Sequence, residues 1–415
     1  MPALHSMSFG QGRLDVRLEA DLILPQEPQP LAGETAAVRR ALERPIGTRP
    51  LAEIVRPGER VAIVVNDITR LAHTDLLLPP IVETLNRAGV QDADILVVFA
   101  LGLHRRQTDT ERKKIVGEEM FRRLRAIDHI ADDDASLVAV GTTSFGNLVE
   151  INREVWEADR IILTGEIIHH MIAGYSGGRK SLVPGVAGRR TITFNHRMIL
   201  EPGCRAGVLE GNPAHEDMLE ACRLIDPDFI LNVVLTTSGR PASVVAGHYD
   251  LAHREGSKAA DRLLLTEVDE PYDLIVASAG GHPMDIDLRQ THKAMEKACE
   301  VLRPGGTLLF YGECSNGAGH RLCEEYLWRY DTAAAMEEAL RREFAVGAHK
   351  AWWVVRMGEH YDVHLVSGLD PRFVERCHFK HVPPARHAER LRELLVPSAR
   401  VGVIPNAAFT RPVIR

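Results

Sequence analysis

With 415 residues, the chain is long enough for two domains that each bury a hydrophobic core. Its 45% hydrophobic and 26% charged residues are typical of globular proteins, and a net charge of −7 gives no reason to expect nucleic acid as a partner. Residues 1–18 hold no continuous apolar stretch and no apolar run is long enough to cross a bilayer, so we expect neither a secretory signal nor a membrane partner. The six cysteines lack C-x-x-C spacing, which predicts free thiols in a reducing cytoplasm.

The first part of the chain predicts alternating strands and helices. Strands are indicated by β-branched apolar runs that end in polar residues, and helices by apolar residues spaced three and four apart. In chain order the elements are edge strands at 12–24, a strand at 61–65, a helix at 76–88, a strand at 94–100, a helix at 110–122 and a strand at 160–165. This alternation predicts an α/β fold with a parallel-type sheet.

A second series of elements begins near residue 272. Its members are a strand at 272–281, a helix at 290–302 and a strand at 307–311. We therefore predict two α/β domains, an N-terminal one at 1–270 and a C-terminal one at 271–395. The tail at 396–415 contains a further strand, which leaves open its return to the first domain.

Polar residues follow the predicted strands of the first domain. Ligands bind beyond the carboxyl ends of the strands in open α/β sheets. That rule gathers residues that are distant in the chain, namely Asp67, Thr69, Arg70, His104, His170 and Lys180. Each also has a structural explanation, since Asp67 and Thr69 are good helix caps and a lone histidine such as His104 is most often structural. Arg70 adds a rigid fork that suits a carboxylate or a phosphate.

Residues 168–181, with the sequence IHHMIAGYSGGRKS, are the most informative segment of the chain. They place Lys180 in a glycine-rich loop, where backbone amides can closely approach an anionic ligand. His170 before the lysine and His196 after it can bind a metal or move protons. Of the adjacent pair His169 and His170, we expect one side chain to enter the site, and periodicity does not select which.

Three interpretations of Lys180 remain open from the residues alone: a phosphate clamp, a covalent anchor, or part of a purely structural loop. A P-loop is disfavoured because that motif needs glycine directly before the lysine, where Arg179 stands. Basic residues cluster here in a way that suits one anionic small molecule, and they are Arg179, Lys180, Arg189, Arg190 and Arg197. In the second domain, residues 290–293 open a helix and form either a solvated face or an anion site.

Together these motifs resemble the nickel-pincer-nucleotide-dependent lactate racemase family of hydroxyacid racemases and epimerases. The resemblance rests on Asp-x-Thr-Arg at 67–70, Gly-x-His at 102–104, the loop at 170–181 and Asn-His at 195–196, in the same order. It implies two α/β domains with the active site in the cleft between them. It also implies an isomerase that carries a nickel pincer nucleotide, Ni(II)-pyridinium-3,5-bisthiocarboxylate mononucleotide, which separate cofactor-synthesis proteins load.

The same resemblance implies a role for each matched residue. Lys180 matches the lysine that holds the cofactor covalently, and His196 matches the nickel ligand. His104 and His170 match the two catalytic histidines, which selects His170 over its neighbour. The residues matched to the cofactor are Asp67, Ile68, Thr69, Arg70, Gly177, Gly178 and Pro184. Those matched to the 2-hydroxy acid substrate are Arg70, which grips the carboxylate, with Gln290 and Lys293 of the second domain.

The chain departs from the lactate enzymes on the substrate side. Lactate racemase has an aromatic residue before the substrate glutamine, whereas this chain has Arg289, and the segment 345–353 does not match either. Arg289 suits a polar or acidic tail better than the methyl group of lactate. His292, His349 and Lys350 add to this preference if they lie near it. We therefore predict a malate-like or sugar-acid-like substrate, with lactate itself, a non-catalytic phosphate- or nucleotide-binding homologue, and a lysine Schiff-base enzyme as alternatives.

Overall fold

The computed structural model describes residues 2–415, which form two compact units. The loop unit comprises Pro28–Leu263 and contains the glycine-rich lysine loop. The split unit comprises the residues up to Glu27 together with Leu264–Arg415. Among residues 2–415, no helix is long and apolar enough to cross a membrane. All six cysteines are buried and none forms a disulfide, as the sequence predicts.

The strands are numbered β1 to β20 and the α-helices α1 to α15 in chain order. The strands are Ala3–Phe9, Gly12–Leu18, Asp21–Leu22, Val61–Asn66, Ile95–Ala100, Arg125–Asp128, Leu137–Thr142, Leu148–Asn152, Arg160–Glu166, His169–His170, Gly174–Tyr175, Phe229–Leu235, Pro241–Gly247, Leu265–Val268, Tyr272–Ser278, Leu302–Tyr311, Asp362–Val366, Lys380–Val382, Val401–Ile404 and Arg411–Ile414. The helices are Glu34–Glu43, Leu51–Ile54, Thr74–Arg87, Asp109–Val116, Glu118–Arg123, Arg153–Trp156, Arg189–His196, Pro213–Ile225, Leu251–Leu264, Leu288–Cys299, Arg321–Arg329, Ala333–Arg342, His349–His360, Pro371–Arg376 and His387–Leu394. Short 3₁₀ helices are Asp92–Asp94, Asp134–Ser136, Gly178–Ser181, Arg197–Leu200 and Pro384–Arg386.

Local sequence signals explain where several helices begin and end. Thr108 and Glu111 form a capping box that starts α4, and the Asn212 side chain accepts a hydrogen bond from His215 N at the start of α8. The single helix predicted at 110–122 is instead two helices, α4 and α5. They are separated by Gly117, whose φ of 82° is incompatible with a continuous helix.

The loop unit is built on a six-stranded sheet in the order β13-β12-β9-β4-β5-β6. All neighbouring strands are parallel except β12 and β13, which are antiparallel. Successive β4 residues belong to different hydrophobic clusters: Ile63 and Val65 to one, and Val64 to the other. A strand with apolar packing on both faces has to be continuously apolar, which is why β4 is a run of Val, Ala and Ile.

The split unit has its own six-stranded parallel sheet, in the order β18-β17-β16-β15-β19-β3. The antiparallel hairpin of β1 and β2 belongs to the same unit, and its Met7, Val16 and Leu18 side chains join the hydrophobic cluster of that sheet. Both units therefore confirm the predicted α/β class with parallel-type sheets.

The division of the chain differs from the prediction at both ends. The tail joins the split unit and not the loop unit, since β19 pairs in parallel with β15 and β20 pairs in parallel with β14. The N-terminal strands also lie in the split unit, where β3 completes the sheet beside β19. Apolar periodicity shows that a segment is a strand, but it does not specify the partner with which the strand pairs.

A buried histidine makes the stability of the loop unit depend on pH. His129 is 1% exposed and donates from Nε2 to the Ala187 carbonyl at 2.9 Å, and burial lowers its pKa to about 4. The ring is neutral in the folded state, so the unfolded state takes up the extra proton first as the pH falls. Stability is therefore lost between the ordinary histidine pKa and pH 4, by about 3 kcal/mol in total for this group.

We expect His129→Gln to lose less stability than the wild type between pH 7 and pH 4, because glutamine has no proton to gain. The measurement is the free energy of unfolding in denaturant across this range. His360→Gln, at an exposed position, is the control for replacing a histidine. If the free energy of unfolding changes equally with pH in the wild type and in His129→Gln, the His129 ring is not the source of the pH dependence.

Candidate active site

The carboxyl edge of the sheet in the loop unit carries most of the predicted site residues. β4 lies between β9 and β5 and is parallel to both, so the chain leaves all three strands at the same edge. Asp67 directly follows β4, His104 follows β5, and Glu166 is the last residue of β9. The segments that follow these strands therefore meet although they are distant in the sequence.

His104 and Asp67 form a hydrogen-bonded pair. His104 Nδ1 lies 2.5 Å from Asp67 Oδ2, and Thr69 donates its backbone N–H and its hydroxyl to Oδ1 at 3.1 and 2.6 Å. Burial raises the pKa of Asp67, but hydrogen bonds from His104 and Thr69, with the charge of Arg70, outweigh it and lower the pKa overall. An ionised carboxylate can only accept, so the proton of the neutral ring is on Nδ1 and its lone pair is on Nε2.

The turn that carries His104 lies against the lysine loop. Gly102 has a φ of 52° and donates from its backbone nitrogen to the Gly185 carbonyl at 2.9 Å. A Cβ at Gly102 would lie 3.4 Å from the Pro184 carbonyl oxygen. This close approach places the predicted cofactor residue Pro184 beside the His104 turn.

The segment after Asp67 forms a tight turn. Arg70 donates from its backbone nitrogen to the Asp67 carbonyl at 3.1 Å, and Ile68 donates to Gln107 Oε1 at 2.8 Å. The charge of Arg70 acts to lower the pKa of Asp67, Glu166 and Lys180, in addition to the larger effect of burial on each. Sequence analysis did not identify Gln107, which anchors the turn through a backbone amide.

His170 presents the opposite tautomer from His104. It lies in the two-residue strand β10, which pairs with β11. Its Nδ1 accepts hydrogen bonds from the backbone nitrogens of Ile172 and Ala173, each at 3.2 Å. The proton of the neutral ring is therefore on Nε2. The two histidines thus differ, with a lone pair on Nε2 of His104 and an N–H on Nε2 of His170.

Lys180 lies in the 3₁₀ turn Gly178–Ser181 and is half-buried. Burial is the largest cause that takes its pKa well below the ordinary lysine value, followed by the charges of Arg70 and Arg179. Two glycines make this turn possible. A Cβ at Gly177 would lie 2.9 Å from the Glu166 carbonyl oxygen, and one at Gly178 would lie 2.9 Å from the His253 ring.

Arg179, which stands where a P-loop has glycine, stabilises the lysine loop through buried hydrogen bonds. It is 1% exposed, and its Nη2 donates to the carbonyl oxygens of Ala173 and Tyr175 at 2.6 and 3.1 Å. Its Nη1 lies 2.6 Å from His253 Nε2. Because its donors are directed to the protein interior, Arg179 holds the loop conformation and does not face a ligand.

His196 is tied to the backbone of its own helix through one ring nitrogen. It ends α7, and its Nδ1 donates to the Ile192 carbonyl at 3.0 Å, which leaves the lone pair of the neutral ring on Nε2. The preceding Asn195 is buried and donates to Ala214 O at 3.0 Å and to Asp217 Oδ2 at 2.8 Å. These bonds tie the end of α7 to α8 and fix the position of His196.

Three further polar residues at this edge were missed by sequence analysis. Asn66 Oδ1 and Asn232 Nδ2 are buried and have no hydrogen-bond partner among residues 2–415, and they flank Gly165, where a Cβ would approach them to 2.8 and 3.3 Å. Burial raises the pKa of Glu166 to about 7 despite the nearby charges of Arg70 and His73. Asn232 interrupts the apolar strand Phe229–Leu235, a signal that was present in the sequence.

These observations fit a bound group that brings its own metal ligands. Within residues 2–415 there is no cluster of three or more histidine, cysteine or acidic side chains arranged to hold a metal ion. A metal at His196 therefore needs donors from another molecule. Asn66 and Asn232 hold one unpartnered acceptor and one unpartnered donor beside Gly165, and the lowered pKa of Lys180 favours its nucleophilic amine form.

Three residues of the predicted basic cluster have partners of their own. Arg189 pairs with Asp132, and Arg190 lies 3.7 Å from Asp134 Oδ1. The Arg197 guanidinium stacks on the Phe194 ring, 3.7 Å from its centroid. Of the five basic residues, these three consequently give no reason to assign them to an anionic ligand.

The residues predicted to meet the substrate tail lie on α10 in the split unit. Asp287 caps the helix by accepting from Gln290 N at 2.7 Å, and Lys293 Nζ donates to Gln290 Oε1 at 2.7 Å. Arg289 has its Nη2 3.8 Å from Asp287 Oδ2.

Further cationic groups surround this turn of α10. Lys350 Nζ lies 3.5 Å from Nε2 of buried His292. Burial, followed by the charge of Lys293, lowers the pKa of Lys350 to about 8. Burial also takes the pKa of His292 well below its ordinary value, and the charges of Lys350, Lys293 and His349 act in the same direction. The charge of Arg289 also lowers the pKa of Lys350. Lys350 and His349 in turn act on the pKa of His292, so these groups interact electrostatically within one region of the split unit.

Comparison with known proteins relates both units to one family. Residues 9–207 match the lactate racemase N-terminal domain, and residues 268–409 match the lactate racemase C-terminal domain. A lactate racemase from Thermoanaerobacterium thermosaccharolyticum is 33% identical over 288 residues, which are 69% of this chain and 67% of that protein. A lactate racemase from Lactiplantibacillus plantarum is 30% identical over 387 residues, which are 90% of this chain and 89% of that protein.

The fold gives the same relationship. The structure is similar to that of the lactate racemase apoprotein from Thermoanaerobacterium thermosaccharolyticum, with a TM-score of 0.88 and 26% identity. The match covers 99% of this chain and all of the other chain, 100%. Sequence and fold agree over nearly the whole length, and the chain belongs to the lactate racemase family of isomerases.

Proposed function

We propose that the chain is a racemase or epimerase of a 2-hydroxy acid and carries a nickel pincer nucleotide on Lys180. One observation carries the proposal, namely that two histidines with different Nδ1 partners and a lysine with a lowered pKa follow strands that end at one edge of the sheet. A protein that only bound phosphate would need neither histidine. Enzymes of this family depend on nickel, and His196 would ligate the metal here.

Different residues of the chain would carry out the separate steps that invert one carbon of the substrate. Lys180 and His196 would hold the cofactor, which would supply reversible hydride exchange at the carbon that bears the hydroxyl group. His104 accepts the hydroxyl proton at Nε2, and ionised Asp67 stabilises the imidazolium that forms. His170, the second proposed catalytic histidine, would move the corresponding proton for the other enantiomer. Arg70 grips the substrate carboxylate with two parallel hydrogen bonds.

The tail of the substrate would be polar or acidic. We assign it to Arg289, Lys293 and Lys350 of the α10 region, with Gln290 as a hydrogen-bonding neighbour. Asp287 offsets part of the positive charge, but burial raises the pKa of nearby Glu296 to about 8, so this second carboxyl is mostly neutral at pH 7. A net positive environment favours a second carboxylate or a hydroxylated chain over a methyl group. Lactate remains the alternative substrate, since the named relatives are lactate racemases.

We expect Lys180→Ala to abolish covalent attachment of the cofactor. The measurement is intact mass and nickel content of protein produced together with the cofactor-synthesis proteins, with about one nickel per chain in the wild type. Lys258→Ala, on the exposed surface of α9, is the matched control and should keep the adduct. Full activity in Lys180→Ala would show that attachment is dispensable. Borohydride trapping of substrate on Lys180 would instead support the Schiff-base alternative.

We expect His104→Ala and His170→Ala each to lower kcat by at least about 100-fold, because each removes a group that transfers a proton. Nickel content should stay at the wild-type level, which separates lost chemistry from lost cofactor. The pH profile of the wild type should be bell-shaped, since one histidine has to be neutral and the other charged. Unchanged racemisation by either variant contradicts its assigned role.

We expect kcat/KM to be higher for a malate-like or sugar-acid-like 2-hydroxy acid than for lactate. Arg289→Tyr should lower the ratio of kcat/KM for the polar acid to kcat/KM for lactate by about 10- to 100-fold. This is the range expected for loss of a hydrogen bond to a charged group. Arg321→Tyr is the matched control, because Arg321 is exposed and pairs with Glu325. Faster turnover of lactate than of any more polar acid would contradict the predicted preference.

A further inference from the structure

His169, the neighbour of the proposed catalytic His170, belongs to a side-chain network of its own. His169 Nε2 lies 2.8 Å from Asp261 Oδ1, on helix α9. The Tyr175 hydroxyl lies 2.7 and 2.8 Å from the two oxygens of the same carboxylate, to which it donates its single proton. The His169 and Tyr175 rings are 5.2 Å apart, so the three side chains form one cluster.

The cluster spans the hairpin that carries His170. Strand β10 pairs with β11 through only two residue pairs, His169 with Tyr175 and His170 with Gly174. A ladder this short does not hold its shape alone. The two aromatic members of the cluster are partners in the first pair, and Asp261 joins them from a separate helix. The carboxylate therefore cross-links both strands of the hairpin to α9.

Strand geometry connects this cluster to the direction of the His170 side chain. Successive side chains of a strand point to opposite faces. The His169 side chain is 4% exposed and is held by Asp261 on one face, so that His170 has to leave the strand on the other. His170 Nδ1 then meets the backbone nitrogens of Ile172 and Ala173, inside the same hairpin.

We propose that Asp261 is a positioning residue for His170, acting through His169 and Tyr175. The proposal rests on the proposed function, in which His170 transfers a proton. Arg179 secures the same hairpin through the Ala173 and Tyr175 carbonyls, so the backbone keeps its path without Asp261. Asp261 in addition fixes the rotation of β10 about its own axis. A displacement of about 1 Å at a reacting group is enough to lower a rate by up to about 100-fold.

The test is Asp261→Asn, which keeps the size of the side chain but removes its charge and one acceptor oxygen. The Asp261 side chain is 39% exposed, so this change leaves no buried charge without its partner. Glu255→Gln is the matched control, because it makes the same carboxylate-to-amide change on the exposed side of α9. Tyr175→Phe provides a second variant that keeps the carboxylate and removes one hydrogen bond to it.

The first readout is the NMR signal of the His170 ring in the apoprotein, assigned by its loss in His170→Gln. We expect this signal to shift or broaden in Asp261→Asn and in Tyr175→Phe but not in Glu255→Gln. The second readout is the split between kcat and KM in the loaded enzyme. We expect kcat to fall about 10- to 100-fold in Asp261→Asn while KM changes less than about 2-fold, because orientation of a reacting group affects turnover more than binding.

Two results would overturn the proposal. One is a His170 signal in folded Asp261→Asn that is identical to that of Glu255→Gln, and the other is an equal kcat in those two variants. If Asp261→Asn does not fold, the same comparisons are made with Tyr175→Phe and decide in the same way. The apoprotein spectrum needs no cofactor or substrate, so it tests the positioning of His170 even if the loaded chain racemises no 2-hydroxy acid.

Discussion

The parallel pairing of β4 with β5 on one side and β9 on the other is the constraint on which the candidate site depends. It brings Asp67, the His104 turn and Glu166 to one edge, and the lysine loop follows directly from the end of β9. Two apolar clusters, containing alternate residues of β4, hold this pairing in register. A shift by one residue would exchange the two faces, so the hydrophobic core also sets the position of the polar edge.

The lysine loop accommodates two adjacent cationic residues, Arg179 and Lys180, in two different ways. Arg179 stays charged and is stabilised by backbone carbonyl oxygens, because a guanidinium offers several donors in a fixed plane. Burial, followed by the charges of Arg70 and Arg179, lowers the pKa of Lys180 and so disfavours its ammonium form. The first residue thereby shapes the loop, and the second has its amine form favoured within it.

The two proposed catalytic histidines owe their difference to what each Nδ1 contacts. A carboxylate faces Nδ1 of His104, whereas backbone N–H groups face Nδ1 of His170. The first contact requires a proton on Nδ1 and the second requires a lone pair. Chemically identical side chains therefore present opposite groups at Nε2, without any difference in residue type that a sequence would reveal.

The amino-acid sequence by itself determined the class of fold and the identity of most residues at the candidate edge. Apolar runs that end in polar residues predicted β4, β5, β9, β15 and β16, and the rule for open α/β sheets gathered Asp67, His104 and Lys180. These properties depend on local periodicity and on strand ends, which neighbouring residues in the sequence determine. Only the tertiary structure decided that the C-terminal tail pairs with β15, that α4 and α5 are separate, and that Arg189 and Arg190 face acidic partners. It alone also assigned His169 to Asp261 and left Asn66 and Asn232 with unpartnered atoms, because strand partners, tautomers and burial are set by residues that are distant in the chain.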